Sequence, residues 1–361
     1  MQIDVLLATA EKGGVENIIK MMIEDLECPN MSFRVVQLVW EGNKWLPEKV
    51  PYYPLLEGKG NYSLDTFVDA YTGFLRENGL PDMILATVWP YTVYVARESL
   101  DRINGSDDKP KVISWMHHEM CEYKKTFDNI EEWLGLADGH FAINEANYKS
   151  LKDLFNVPVY KLKNPIDMSG CKEFVKHRQK IQRKKNRDVL KLAYIGRISR
   201  EKNIELVIGA ISLVQGCKLL IIGSAEDKGY ERELHTLASE IGVENKIIWK
   251  GWQADPWSCV KDCDVICLSS LYEGFPLAAL ESLAHGIPVV ASRTTGIREI
   301  IEDGITGYIF NVGDLASLIE VLSEISKKGT MNIDPQKCHD SVIPYERHSA
   351  LNEMKSIIME L

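Results

Sequence analysis

The sequence predicts an α/β protein built from two doubly wound parallel sheets, one following the other along the chain. Short apolar runs rich in β-branched residues alternate with helix-compatible stretches, and the alternation halts once at a basic segment before restarting. Length agrees, since 361 residues exceed the ~250–300 at which a single core stops growing.

The first run, IDVLLAT, ends at Glu11-Lys12-Gly13-Gly14 and leads into the amphipathic VENIIKMMIEDL. Strand, glycine turn and helix form the opening unit of a parallel layer. FRVVQLVW, DMILATVW, KVISWM and GHFAIN continue it, near-continuous apolar runs as expected where helices cover both faces of a sheet. VYKLKNPID closes the series, and residues 1–170 are read as the first domain. Residues 171–188, CKEFVKHRQKIQRKKNRD, shift sharply to basic composition and are read as a solvated linker. Over 189–344 the pattern restarts with LKLAYIGR, CKLLIIGS, NKIIWKGW, DVICLSS, IPVVAS and TGYIFN, separated by stretches such as NIELVIGAISLV, YERELHTLASEIG and PLAALESLAHG. The tail, about 345–361, reads as an amphipathic helix with no strand after it.

Composition narrows the function. A chain 45% hydrophobic and 26% charged is not mainly disordered. No run approaches the ~18–20 apolar residues of a membrane-spanning helix, and the N-terminus lacks a basic n-region and a small-residue cleavage site. A formal net charge of −10 argues against wrapping nucleic acid. Eight cysteines without regular framework spacing suit a cytoplasmic location.

The most informative segment is LSSLYEGFPLAALESLAHGIPVVAS. A strand ends, a loop carries Glu273-Gly274-Phe275, Pro276 is expected within the first helical turn, and a helix runs from Leu277 to Ala284. Glu281 is expected two turns inside that helix. Amides near Gly274 and Leu277 would face an anion, while Glu273 and Glu281 would accept hydrogen bonds from sugar hydroxyls. In YIGRISREKNIE, Arg197 and Lys202 share one strand-to-helix loop, a fork and a point charge suited to a diphosphate. Arg200, in the same loop, has an ordinary solvated reading. Gly13-Gly14 would let backbone approach a ligand, although neither GxGxxG nor GxxxxGK[ST] is present. His117 and His118 end the strand KVISWM, where a reacting sugar could meet an imidazole. Metal readings of His117-His118-Glu119, of Cys259, Cys263 and Cys267, and of Asp107-Asp108 are weaker, and no metal site is expected.

Together these segments resemble glycosyltransferase family 4, retaining enzymes of the GT-B fold. The marks are E-x7-E from Glu273 to Glu281 before GIPVVAS, Arg197 and Lys202 in GRISREKN, and KNPID with Asn164 and Pro165. ISWMHHE and IIWKGWQADPW are similar to segments of bacterial surface-polysaccharide enzymes such as the lipopolysaccharide galactosyltransferases. The resemblance implies two Rossmann-like domains facing across a cleft, with the final helix crossing back to the first. It implies a UDP-sugar as donor substrate, no cofactor and a glycan acceptor, lipid-linked or not.

By that resemblance Arg197 and Lys202 neutralise the diphosphate, and Glu281 binds the ribose. Glu273, Gly274, Phe275, Pro276 and Leu277 hold the sugar and β-phosphate. Gly14 approaches from the first domain, His117 meets the sugar, and Trp252 and Gln253 border the base. Residues 171–188 could touch an anionic membrane at its inner face. The alternatives are an epimerase or phosphorylase of the same fold, or a non-catalytic polysaccharide-binding protein.

Overall fold

Each of the apolar runs named above forms a strand. The computed structural model describes residues 1–9, 13–40, 42, 45–58, 60, 62–103, 109–183, 189–327 and 333–361. These divide into two units: Met1–Pro165 with Arg347–Leu361, and Ile166–Glu346.

In the first unit the strands are β1 (Gln2–Leu7), β2 (Ser32–Trp40), β3 (Tyr52–Glu57), β4 (Met83–Thr87), β5 (Lys111–Trp115), β6 (Gly139–Ala142) and β7 (Val159–Lys161). They pair in parallel in the order β3-β2-β1-β4-β5-β6-β7. The helix Gly14–Leu26 buries Ile18, Ile19, Met22, Ile23 and Leu26, and all five residues of β4 are buried. That double coverage is why these strands read as unbroken apolar runs.

Strand β3 was not anticipated. Its sequence, YYPLLE, contains Pro54, which cannot donate to a ladder, and none of its six residues is fully buried. Pro54 is tolerated because β3 is an edge strand, paired only with β2, where Pro54 stands opposite Gln37.

The second unit holds β8 (Leu190–Ile195), β9 (Cys217–Ile222), β10 (Ile247–Gly251), β11 (Val265–Leu268), β12 (Val289–Ser292) and β13 (Gly307–Phe310). They lie parallel in the order β10-β9-β8-β11-β12-β13. Each unit is a doubly wound Rossmann-like layer whose strand order reverses beside its first strand, between β1 and β4 and between β8 and β11. Gly196 and Gly223, just past β8 and β9, have φ of 156° and 151°. A Cβ on Gly223 would stand 1.8 Å from Gly196 O, so only glycine allows the chain to leave both strands here.

The basic linker is not a linker. Residues Cys171–Arg183 form a helix within the second unit, burying Cys171 and Val175. Arg178, read as solvated, is also buried; it donates to the carbonyls of Cys263 and, at 3.1 Å, Asp264, just before β11. Composition concealed this because Lys172, Lys176 and Lys180, four residues apart, line an exposed side of the helix and one further basic residue, Arg178, is buried on carbonyl oxygens. Lys184, Lys185 and Arg187 lie outside the described residues.

The terminal helix Arg347–Glu360 belongs to the first unit, burying Leu351, Met354 and Ile358. Arg347 pairs with Asp25 and Glu24 at 2.6 and 3.0 Å. No helix among the described residues is long and apolar enough to cross a membrane.

Candidate active site

In open α/β sheets, ligands bind outside the carboxyl ends of the strands where the order reverses. In the second unit that place lies between β8 and β11. Beyond β8 the chain runs through Arg197 to a short turn at Arg200–Lys202. Asn203 then takes a left-handed conformation (φ 49°) and starts the helix Ile204–Leu213. Beyond β11 it runs from Ser269 to Pro276 and into the helix Leu277–Ala284.

Short bonds lock these two loops together. Ser269 Oγ lies 2.8 Å from the carbonyl oxygens of both Lys202 and Asn203, and Leu271 N–H donates to Glu201 O at 2.8 Å. The result brings Lys202 Nζ to 2.7 Å from Glu273 Oε1, which also accepts from Ser270 Oγ at 2.7 Å. The pair is 19% and 17% exposed, shielded but reachable. Glu273 Oε2 bonds nothing among the described residues. Arg197, on the same loop as Lys202, stands 3.6 Å from Glu201 with half its surface in solvent. Arg200 points elsewhere, to Glu233 at 2.8 Å and over the Tyr230 ring.

Two expectations about the following helix need correction. Pro276 is the N-cap, with extended backbone, and the first helical residue is Leu277. Proline has no N–H and no side-chain acceptor, so its side chain does not cap the helix, and the amides of Leu277 and Ala278 are left to an anion while Ala279 N–H donates to Pro276 O at 3.0 Å. Glu281 is the fifth helical residue, little more than one turn in. Burial, helped by Asp167, raises its carboxyl to about 7, and among the described residues nothing bonds that carboxyl. Phe275 is buried beside the Tyr345 ring at 5.6 Å, so it supports the loop from behind.

Several residues at this site escaped the sequence reading. Ser269 joins the two loops, Ser270 holds Glu273 within its own loop, Asp167 influences Glu281, and Gly296 holds the next loop against the one after β11. A Cβ on Gly296 would lie 2.4 Å from Gly274 O and 2.8 Å from Phe275 Cα. Lone serines and glycines carry no periodic or motif signal that separates them from ordinary turns. Gly296→Ala is expected to push the Gly274 loop aside, weakening nucleotide binding about tenfold by calorimetry. An unchanged affinity would show that this loop does not hold nucleotide.

Trp252, at the end of the outer strand β10, is 66% exposed. Gln253 donates to Lys250 O at 2.9 Å. No hydrogen bond or ring contact among the described residues ties either to the Lys202–Glu273 pair.

In the first unit, His117 follows β5 and is buried, its Nε2 3.0 Å from Thr87 Oγ1 at the end of β4. Burial, with the adjacent His118, lowers its pKa to about 3. His118 is exposed and meets the Tyr123 ring edge-on at 5.6 Å. Gly14 opens the helix Gly14–Leu26, and the preceding Gly13 N–H donates to Glu16 Oε2 at 3.1 Å. Glu11 and Lys12 lie outside the described residues.

Among the described residues no three His, Cys, Asp or Glu side chains gather as metal ligands. His117 is buried and His118 exposed, so the two diverge. Burial raises the Cys267 thiol to about 12, and Cys263 is buried as well, as core thiols should be. Asp107-Asp108 lie outside the described residues.

Two Rossmann-like units, the second with an acidic and a basic side chain paired at its switch point, make up the fold of the GT-B glycosyltransferases. The model of the family "Glycosyl transferases group 1" matches residues 175–340, nearly all of the second unit. The lipopolysaccharide 1,6-galactosyltransferase of Escherichia coli K12 is 25% identical over 289 residues, covering 77% of this chain and 75% of its own. The structure is similar to lipopolysaccharide outer core galactosyltransferase WaaB in its apo form, with TM-score 0.77, 20% identity and full coverage of both chains. It is also similar to Anabaena Alr3699/HepE in complex with UDP, TM-score 0.80 at 17% identity, and with UDP-glucose, TM-score 0.77 at 17%, with full coverage of both chains in each comparison.

Proposed function

We propose that the chain is a retaining, metal-independent glycosyltransferase that moves a hexose from a UDP-sugar to a bacterial surface glycan such as lipopolysaccharide. The observation that carries this is the Lys202–Glu273 pair, which the fold sets at the switch point of the second unit, before an uncapped helix bearing Glu281. UDP and UDP-glucose complexes of a structural neighbour, and the name of the lipopolysaccharide enzyme, support donor and acceptor class.

Each group has a task in such a reaction. The acceptor oxygen bonds to the anomeric carbon as the bond from that carbon to the β-phosphate oxygen breaks. The bonding pair leaves with the phosphate, and the acceptor proton passes to that oxygen on the same face, which preserves configuration. Lys202, Arg197 and the first-turn amides of Leu277 and Ala278 stabilise the charge gathering on the diphosphate, so that no divalent ion is required. Glu273 Oε2 accepts a sugar hydroxyl, and Glu281 accepts the ribose hydroxyls. Trp252 offers an aromatic face beside the base. In the first unit, the Gly14 turn and His117 are given to substrate contacts, His117 to a sugar hydroxyl. The exposed Lys172, Lys176 and Lys180 are suited to peripheral contact with anionic lipid.

A nucleotide-sugar panel tests the reading. With UDP-galactose, UDP-glucose and UDP-N-acetylglucosamine, one is expected to raise Tm and to release UDP when acceptor glycan is added, equally with and without EDTA. The product linkage is expected to keep the donor's anomeric configuration. Loss of turnover in EDTA would overturn metal independence. Release of sugar phosphate only when free phosphate is added would indicate a phosphorylase.

A further inference from the structure

One threonine hydroxyl bridges the ring of His117 to a main-chain carbonyl oxygen. Thr87, the fully buried last residue of β4, has Oγ1 3.0 Å from Trp115 O and 3.0 Å from His117 Nε2. A hydroxyl has one proton to give, and a carbonyl oxygen can only accept. Both contacts are satisfied together in a single arrangement: Thr87 donates to Trp115 O, and His117 Nε2–H donates to Thr87.

The surroundings remove the other choices. His117 is 6% exposed and its ring packs on the Trp115 indole, with centroids 4.9 Å apart, an unfavourable setting for an imidazolium. A neutral ring with its proton on Nε2 has a bare Nδ1, and Nδ1 bonds nothing among the described residues. The backbone is fixed as firmly as the ring. Tyr123 OH accepts from His117 N–H at 3.2 Å and His118 N–H at 3.3 Å, and donates to Val88 O at 2.6 Å. Val88 directly follows Thr87 and has a φ of 73°, a costly conformation for a β-branched residue that persists only where neighbours enforce it. Tyr123 thus clamps the segment after β4 to the segment after β5, and Thr87, the bonding partner of the His117 ring, directly precedes that clamp.

We propose that Thr87 is a positioning residue that holds His117 as its Nε2–H tautomer, presenting a bare Nδ1 as hydrogen-bond acceptor to a hydroxyl of a sugar substrate. The sugar contact rests on the function proposed above; the tautomer does not. In this role His117 takes a hydrogen bond and transfers no proton.

Nitrogen NMR of protein labelled with 15N-histidine reads the tautomer directly, with His117 assigned by its loss in His117→Gln. Wild type and Thr87→Ser are expected to show a bare Nδ1 and a protonated Nε2. Thr87→Val, similar in shape but without the hydroxyl, is expected to show partial protonation of Nδ1. Kinetics should follow: Thr87→Val lowers kcat about five- to tenfold, the equivalent of one lost hydrogen bond. Thr87→Ser stays near wild type, and calorimetric affinity for UDP alone is unchanged in both.

A protonated Nδ1 or an imidazolium in the wild-type protein at neutral pH would overturn the proposal, with no need for the variant to fold. An altered tautomer in Thr87→Val with unchanged kcat would overturn the sugar contact. If wild type bound no nucleotide sugar, the proposed donor would fail while the spectrum still decided the tautomer.

Discussion

Lys202→Ala is expected to lower kcat/KM for sugar transfer by about 10²–10³-fold, the loss typical when one donor to developing negative charge is removed from a shielded site. The Lys202 side chain is 19% exposed and its Nζ is held 2.7 Å from Glu273 by the bonded loops beyond β8 and β11, so its charge is already in place before the diphosphate departs. Such preorganisation makes the charge worth more in the transition state than a solvated lysine would be. The fold should survive, because Glu273 keeps the Ser270 hydroxyl and the pair contributes only about 1 kcal/mol to stability. Arg200→Ala, two residues earlier, is the control. Arg200 pairs with Glu233 and covers the Tyr230 ring, and its loss should leave turnover within about twofold. Equal effects from the two substitutions would show that the Lys202 charge has no special placement.

Glu281→Gln is expected to weaken UDP binding about 10–100-fold and to abolish its pH dependence. In the unliganded protein, burial, with Asp167 nearby, raises this carboxyl to about 7. Ribose hydroxyls donate to the ionised form, so binding favours carboxylate and releases a proton near neutrality. Wild-type affinity should therefore tighten about tenfold as pH rises from 6 to 8, and should be flat in the glutamine variant once the nucleotide's own titration is subtracted. Heats measured in buffers of different ionisation enthalpy should reveal the released proton. Stability runs in the opposite direction. A carboxyl whose folded pKa is raised favours the fold below about pH 4.5, and that contribution is lost as pH climbs through 7. Glu281→Gln should therefore gain stability relative to wild type at pH 8 and not at pH 4. Affinity that weakened with rising pH would mean that the ribose meets a protonated acid, or does not meet Glu281.

Much of this molecule was legible from pattern alone, and the exceptions have definite causes. Strands covered on both faces announced themselves as apolar runs, whereas β3 was hidden by Pro54, which an edge position alone makes acceptable. Residues 171–183 looked like a solvated tether because eight basic residues in 171–188 outweighed the apolar positions. Burial of Cys171, Val175 and Arg178 makes them a helix of the second unit instead. At the site, Glu273, Glu281, Arg197 and Lys202 stood out by residue type and spacing. Ser269, Gly296 and Thr87 did not, since their importance comes from residues about 20 to 70 positions away in the chain.

The sequence by itself determined the two layers, the strands that build them and the charged residues that could handle a diphosphate, because hydrophobic period and side-chain chemistry are local properties. Only the tertiary structure decided that Lys202 bonds Glu273, that Glu281 titrates near neutrality and that His117 rather than His118 is buried. Each of these depends on desolvation and on hydrogen bonds between segments distant in the chain, which strand order brings together and which no local pattern encodes.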